Sequence, residues 1–245
     1  KGFVKHLNAK GFQITWPPIF TSSTASKEYI PYIYTHDEIV RILNMADSLS
    51  MSRGTQFHII FPTIIRVLYG CGLRVSEALA LEKEDVDVEA GILTVRHSKF
   101  DNSRLVPISC SLQRALREYI LRMDWTVVTN YFFPNAKGEQ YSQRSVYDRF
   151  RTVLWDSGIS HGGTGKGPRV HDFRHTFAVH SLAQCSARNL DTYVFLPILA
   201  AYLGHKKITT TEKYLRLTAE VYPDFLNKSC TLSDAVIPEV MHYAE

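Results

Sequence analysis

Long hydrophobic runs are missing from this sequence. No stretch of about 18 apolar residues is uninterrupted, so nothing qualifies as a membrane span, and the first residues show no signal-peptide pattern. Cysteine is scarce. Cys71, Cys110, Cys185 and Cys230 share no metal-like spacing and define no disulfide framework, so they read as reduced thiols of a cytosolic protein. Internal repeats and low-complexity blocks are also absent. What remains is a chain of 245 residues with 45% apolar content, enough to bury a core of one domain or one and a half.

Net charge is only +4, but its distribution is uneven. From Thr218 onward Glu220, Asp224, Asp234, Glu239 and Glu245 face a single cation, Lys228. The preceding 217 residues therefore hold 27 basic against 19 acidic residues. A basic body with an acidic tail suits a polyanion such as double-stranded DNA, although an ordinary basic surface would have the same balance.

The apolar pattern divides the chain. Residues 1–34 combine a helix end in FVKHLNAKGF with a Pro-Pro and Ser/Thr-rich stretch that reads as a linker. Thr35, with Glu38 three residues on, forms a capping-box signature ahead of Ile39, Ile42, Leu43 and Ala46 on one helical face. A second helix is predicted over 56–70, bent or interrupted at Pro62. Between Asp85 and Ile108 the β-branched runs ILTVRH and RLVPI flank SKFDNS, predicting a hairpin with Asp101-Asn102-Ser103 at its turn. Helical periodicity returns around 111–123, 142–156, 171–184, 192–203 and 208–216. The fold class expected is mainly α with a small antiparallel β-sheet, α+β.

Four short stretches hold chemistry. Arg74 follows a Gly-x-Gly break and opens a short helix; its planar fork matches two phosphate oxygens, and Glu77 could brace it or merely pair with it. Lys99, beside the predicted hairpin turn, is a candidate general acid, with Arg104 as competitor; a hairpin lysine is more often just solvated. In HDFRH, His171 and His175 have the i, i+4 spacing of zinc ligands, but Arg174 intrudes and no third ligand is indicated nearby. The other reading aims His171 and Arg174 at an anion from a helix start marked by Pro168 and Asp172, leaving His175 and His180 as structural histidines. Finally, LGHKKITTTEKY sets Tyr214 nine residues beyond His205. A phenol with a pKa of about 10 is a weak nucleophile unless cations hold an electrophile before it.

Taken in order, GLRVSE, KFDNSRLVP, HDFRHTFA and LGHKKITTTEKY resemble the tyrosine recombinase (phage integrase) family. The resemblance covers residues 35–217, the family's catalytic domain. It implies Arg74, Lys99, His171, Arg174 and His205 as the phosphate-activating set, Glu77 as support and Tyr214 as the nucleophile. The implied reaction is site-specific DNA cleavage and rejoining through a 3′-phosphotyrosine, with no metal or other cofactor. A type IB topoisomerase-like relaxation and a non-catalytic DNA-binding remnant are the alternatives, the latter if the Tyr214 hydroxyl lay buried away from the cations.

Relatives of this kind carry a helical DNA-clamping domain ahead of the catalytic one. With Lys1 in place of Met, most of that domain is expected to be missing from this sequence, FVKHLNAKGF being its last helix. Residues 218–245 would form a C-terminal tail whose VIPEVM segment docks on a neighbour. A tetramer on DNA, a monomer in solution and a cytoplasmic, nucleoid-associated location complete these expectations.

Overall fold

The computed structural model describes residues 10, 30–51, 54–96, 103–162, 167–222 and 225. Lys1–Ile30 and Pro31–Glu245 form two compact units, and the second is the one described below. Lys99, the tip of the hairpin, the FVKHLNAKGF helix and the VIPEVM segment lie outside the described residues.

Eight α-helices and three strands are present among the described residues. Helix α1 (His36–Asp47) begins where expected: the Thr35 hydroxyl accepts from the Glu38 N–H and the Glu38 carboxylate accepts from the Thr35 N–H. Helix α2 (Phe57–Cys71) runs through Pro62 without ending, contrary to an interruption there. Most of its residues are buried, so tertiary packing outweighs the loss of one backbone hydrogen bond. Short α3 (Val75–Leu79) follows, then a 3₁₀ turn (Lys83–Asp85) and the sheet.

The sheet has order β1 (Val86–Asp87), β2 (Ile92–Val95), β3 (Arg104–Pro107), all antiparallel. Its β2–β3 register pairs Val95 with Arg104, which brings Arg104 to the end of the hairpin nearest the turn. Helices α4 (Cys110–Arg122) and α5 (Gln143–Asp156) start on Ser109 and Ser142, each accepting a backbone N–H of the first turn. Three further helices complete the unit: α6 (Asp172–Ala187), α7 (Thr192–Leu203) and α8 (Thr209–Val221).

Two apolar clusters hold these elements. The larger gathers Ile42, Phe61, Ile64, Leu68, Leu93, Leu116, Phe133 and Phe150, and reaches Phe173 in the first turn of α6. The smaller joins α6, α7 and α8 through Val179, Leu182, Leu196, Leu199, Leu203, Leu217 and Phe225. Helix α6 thus belongs to both, and its first turns sit at their seam. No described helix is long and apolar enough to cross a membrane.

Candidate active site

The seam is built around one carboxylate. Glu77, in the first turn of α3 and nearly buried, accepts from the Arg74 backbone N–H at 2.9 Å and from Arg74 Nη1 at 2.6 Å. Arg104 reaches it from β3 with Nη1 at 3.2 Å and Nη2 at 2.9 Å. Arg174 Nη1 lies 3.9 Å away. Burial alone would raise the Glu77 pKa, but the Arg104 hydrogen bond, the Arg74 N–H and the surrounding guanidiniums hold it at about 2. Three arginines therefore surround one fixed negative charge, leaving a surplus of positive charge for an incoming anion.

Arg174 is 2% exposed, and its position has a backbone origin. Nη1 donates to the Gly72 carbonyl at 2.8 Å and Nη2 to the Leu203 carbonyl at 2.6 Å. Those carbonyls lie at the C-terminal ends of α2 and α7, where helix dipoles are negative. Gly72 and Gly204 end the two helices in the left-handed conformation, with φ of 60° and 69°. A Cβ at Gly72 would lie 2.5 Å from the Phe177 ring, so glycine is needed there on both counts. Burial and then Arg74 lower the Arg174 pKa to about 10, which still leaves it cationic at neutral pH. Arg74 itself keeps 38% of its side chain exposed and is the solvent-facing cation of the group.

Tyr214 enters from α8 and is 1% exposed. Its hydroxyl lies 2.9 Å from His175 Nδ1, and its ring stacks against His205 with centroids 6.2 Å apart. Lys213 Nζ stands 5.2 Å from the same ring. Burial, outweighing the nearby charges of Arg174 and Arg74, pushes the phenol up to about 12. The hydroxyl is thus buried, but within electrostatic reach of both arginines rather than away from them. His205 bonds Thr211 Oγ1 through Nδ1 at 2.8 Å; burial and then Arg174 and Arg74 hold its pKa near 4, so its ring is neutral at pH 7. His171, at the N-cap of α6, keeps an exposed face and meets the His175 ring edge-on at 5.1 Å. The protein around it, followed by Arg174, Arg74 and Lys213, lowers its basicity as well.

The sequence-predicted residues Arg74, Glu77, His171, Arg174, His205 and Tyr214 thus share one site. Two further residues enter it. His175, read as a structural histidine, contacts the Tyr214 hydroxyl directly. Arg104, the competitor for the general-acid role, has both terminal nitrogens on Glu77 and Nε on the Tyr202 carbonyl at 2.9 Å, so it is committed to holding the cluster. His180, by contrast, is structural: Nδ1 bonds the Tyr69 hydroxyl at 3.0 Å and the ring stacks on His36. In the zinc reading of HDFRH, Nδ1 of His175 is already taken by Tyr214, and no three His, Cys, Asp or Glu side chains converge as metal ligands among the described residues. Lys213 had no signal beyond standing beside Tyr214.

A mainly helical domain that sets a phenol beside clustered guanidiniums and imidazoles defines a class of protein built for displacement at a phosphodiester. The profile described as "Phage integrase family" matches residues 33–220. Over 234 residues the chain is 31% identical to a Sinorhizobium fredii protein described as integrase/recombinase y4rB, covering 92% of this chain and 74% of that one. The fold matches XerH site-specific recombinase bound to a palindromic difH substrate, with TM-score 0.64, 22% identity and coverage of 91% of this chain and 59% of that one. It also matches a lambda integrase dimer bound to a COC′ core site, with TM-score 0.60, 20% identity and coverage of 86% and 55%. The chain belongs to the phage integrase family, and residues 33–220 are the catalytic domain of a tyrosine recombinase, a DNA strand-transferring enzyme. It spans less than two thirds of the length of either solved structure.

Proposed function

We propose that this chain cleaves and rejoins DNA site-specifically, with Tyr214 attacking the scissile phosphate and displacing a 5′-hydroxyl to leave a 3′-phosphotyrosine. The observation that supports it most is the meeting of α8 and α6, which brings Tyr214 within the field of Arg174 and Arg74. Arg74 and Arg174 neutralise the non-bridging oxygens, and Glu77 and Arg104 keep those arginines in place. His205 donates to the phosphate. His171 accepts the nucleophile's proton or donates a further hydrogen bond, and Lys99 protonates the leaving oxygen. Because the phosphotyrosine bond conserves energy, a 5′-hydroxyl from a partner strand reverses the step.

Strand exchange requires four protomers on two duplexes, and the surface of α7 supports assembly. Tyr193, Val194 and Ile198 project from it with more than half their surface exposed. Beside them a cavity of about 450 Å³ opens between α7 and α8, lined by Tyr193, Leu215, Ala219 and Phe225. An apolar segment such as Val236–Met241 of a neighbouring protomer suits this cavity.

The test is a nicked duplex that traps the covalent adduct. Tyr214→Phe removes one hydroxyl, so folding and DNA binding should survive while the adduct disappears. An adduct that persists, or that maps to Tyr202 or Tyr222, would refute the assignment.

A further inference from the structure

We propose that Thr211 is a positioning residue that fixes which nitrogen of His205 holds the ring proton, so that the imidazole presents Nε2–H to the phosphate. The inference rests on His205 as a phosphate donor. Of the three consecutive threonines that open α8, Thr209 and Thr210 are exposed and Thr211 is fully buried. No side chain caps this helix; the Thr211 hydroxyl turns instead towards His205, where Oγ1 and Nδ1 lie 2.8 Å apart. His205 is held from two other sides as well. Its backbone N–H donates to the Ala200 carbonyl at 2.9 Å, and its ring stacks against Tyr214.

The direction of the bond follows from counting protons. The Thr211 hydroxyl has one partner among the described residues, His205 Nδ1. If Nδ1 carried the ring proton it would donate to Oγ1, and the hydroxyl hydrogen would be stranded in the interior without an acceptor, a costly arrangement. The hydroxyl therefore donates, Nδ1 accepts, and the ring proton sits on Nε2. Nε2 has no hydrogen bond to protein among the described residues, which leaves that N–H for an incoming oxygen. Burial, then Arg174, Arg74, Lys213 and Arg104, keep the ring neutral at pH 7, so it has a single proton to offer. The other tautomer would aim a lone pair at a phosphate oxygen and repel it. Thr211 thus makes a donor of a ring that stays uncharged.

The first measurement uses the full chain with isotope-labelled histidine, free of DNA, at pH 7. Long-range proton–nitrogen correlation spectra identify the protonated ring nitrogen, and the His205 signals are those lost in His205→Phe. Wild type and Thr211→Ser should show His205 protonated at Nε2 alone. Thr211→Val keeps the branched shape but removes the hydroxyl, and should show a mixture of the two tautomers. Protonation at Nδ1 in the wild type, or an unchanged tautomer in Thr211→Val, would overturn the proposal.

The second measurement is adduct formation on the nicked duplex at saturating DNA. His205→Phe keeps a ring against Tyr214 and should slow the reaction about 100-fold, the loss typical of one preorganised donor. Thr211→Val should slow it about tenfold, through misplacement of the ring and its proton, with unchanged affinity for the duplex. Thr211→Ser should restore the rate. The double variant shows whether Thr211 acts through His205: it should be no slower than His205→Phe alone. A further loss of about tenfold there would mean an independent role and overturn the proposal. A His205→Phe rate equal to wild type would refute the donor reading of His205 and the proposal with it, while the spectra still report the contact alone.

Discussion

Glu77 sets the electrostatics of the site at the scale of single residues. Its folded pKa of about 2 lies below its ordinary value of 4.5, so the carboxylate contributes stability above pH 4.5 that is lost as pH falls towards 2. Glu77→Gln leaves three guanidiniums without their shared counter-charge and should cost about 3 kcal/mol at pH 7. That gap should narrow by about 2 kcal/mol at pH 3, because the wild type has by then lost most of its own advantage. Urea titrations of both proteins at the two pH values check it; a gap that does not change with pH would show that shape, not charge, sets the cost. Glu77 was legible in the sequence because it lies three residues from Arg74. His175 was not, because its partner Tyr214 is 39 residues away and only the packing of α6 on α8 joins them.

Helix ends rather than helix interiors place the cations. Gly72 and Gly204 turn α2 and α7 off so that their terminal carbonyls converge on Arg174, while a Cβ at Gly204 would stand 2.9 Å from Arg104 Nη1. Gly204→Ala should therefore lose about 1–2 kcal/mol to backbone strain and also lift Arg104 off Glu77. Gly91→Ala is the control: φ is 68°, but a Cβ there meets nothing nearer than 3.6 Å and lies away from the arginines. Thermal melts should show a loss in both, the larger in Gly204→Ala, and only Gly204→Ala should lose adduct formation on nicked DNA by tenfold or more. Equal cleavage in the two variants would show that Arg104 is dispensable. Periodicity and capping residues made the helices readable, including the Thr35 cap and the breaks at Gly72 and Gly204. Which arginine docks on those breaks is a long-range fact, since Arg174 is 102 residues from Gly72 and no local pattern encodes it.

At the scale of the whole molecule, the exposed α7 surface and the charge asymmetry of the sequence both bear on assembly. Without DNA to align protomers, the full chain should be monomeric by light scattering at physiological salt. A short duplex should raise its mass to that of a multi-protomer complex. A chain ending after Phe225, which keeps the cavity lining but lacks Val236–Met241, should bind DNA without that increase. A DNA-free tetramer, or identical behaviour of the two chains, would refute tail-mediated assembly. The charge asymmetry and the apolar VIPEVM segment were visible in the sequence; the exposed face of α7 was not, because that helix is apolar all round and gives no amphipathic signal.

The division of the interior into a larger and a smaller apolar cluster has a thermal consequence. Tyr214, His205 and the Leu203 carbonyl all belong to the side held by the smaller one. Cooperative units with less buried apolar surface open at lower free energy than the molecule as a whole. Amide hydrogens of α7 and α8 should accordingly exchange faster than those of α2 under native conditions, as mass spectrometry of timed deuterium uptake would show. On warming, the ability to form an adduct should then fade several degrees before the helical signal does. Uniform exchange across the three helices would mean that the two clusters melt as one.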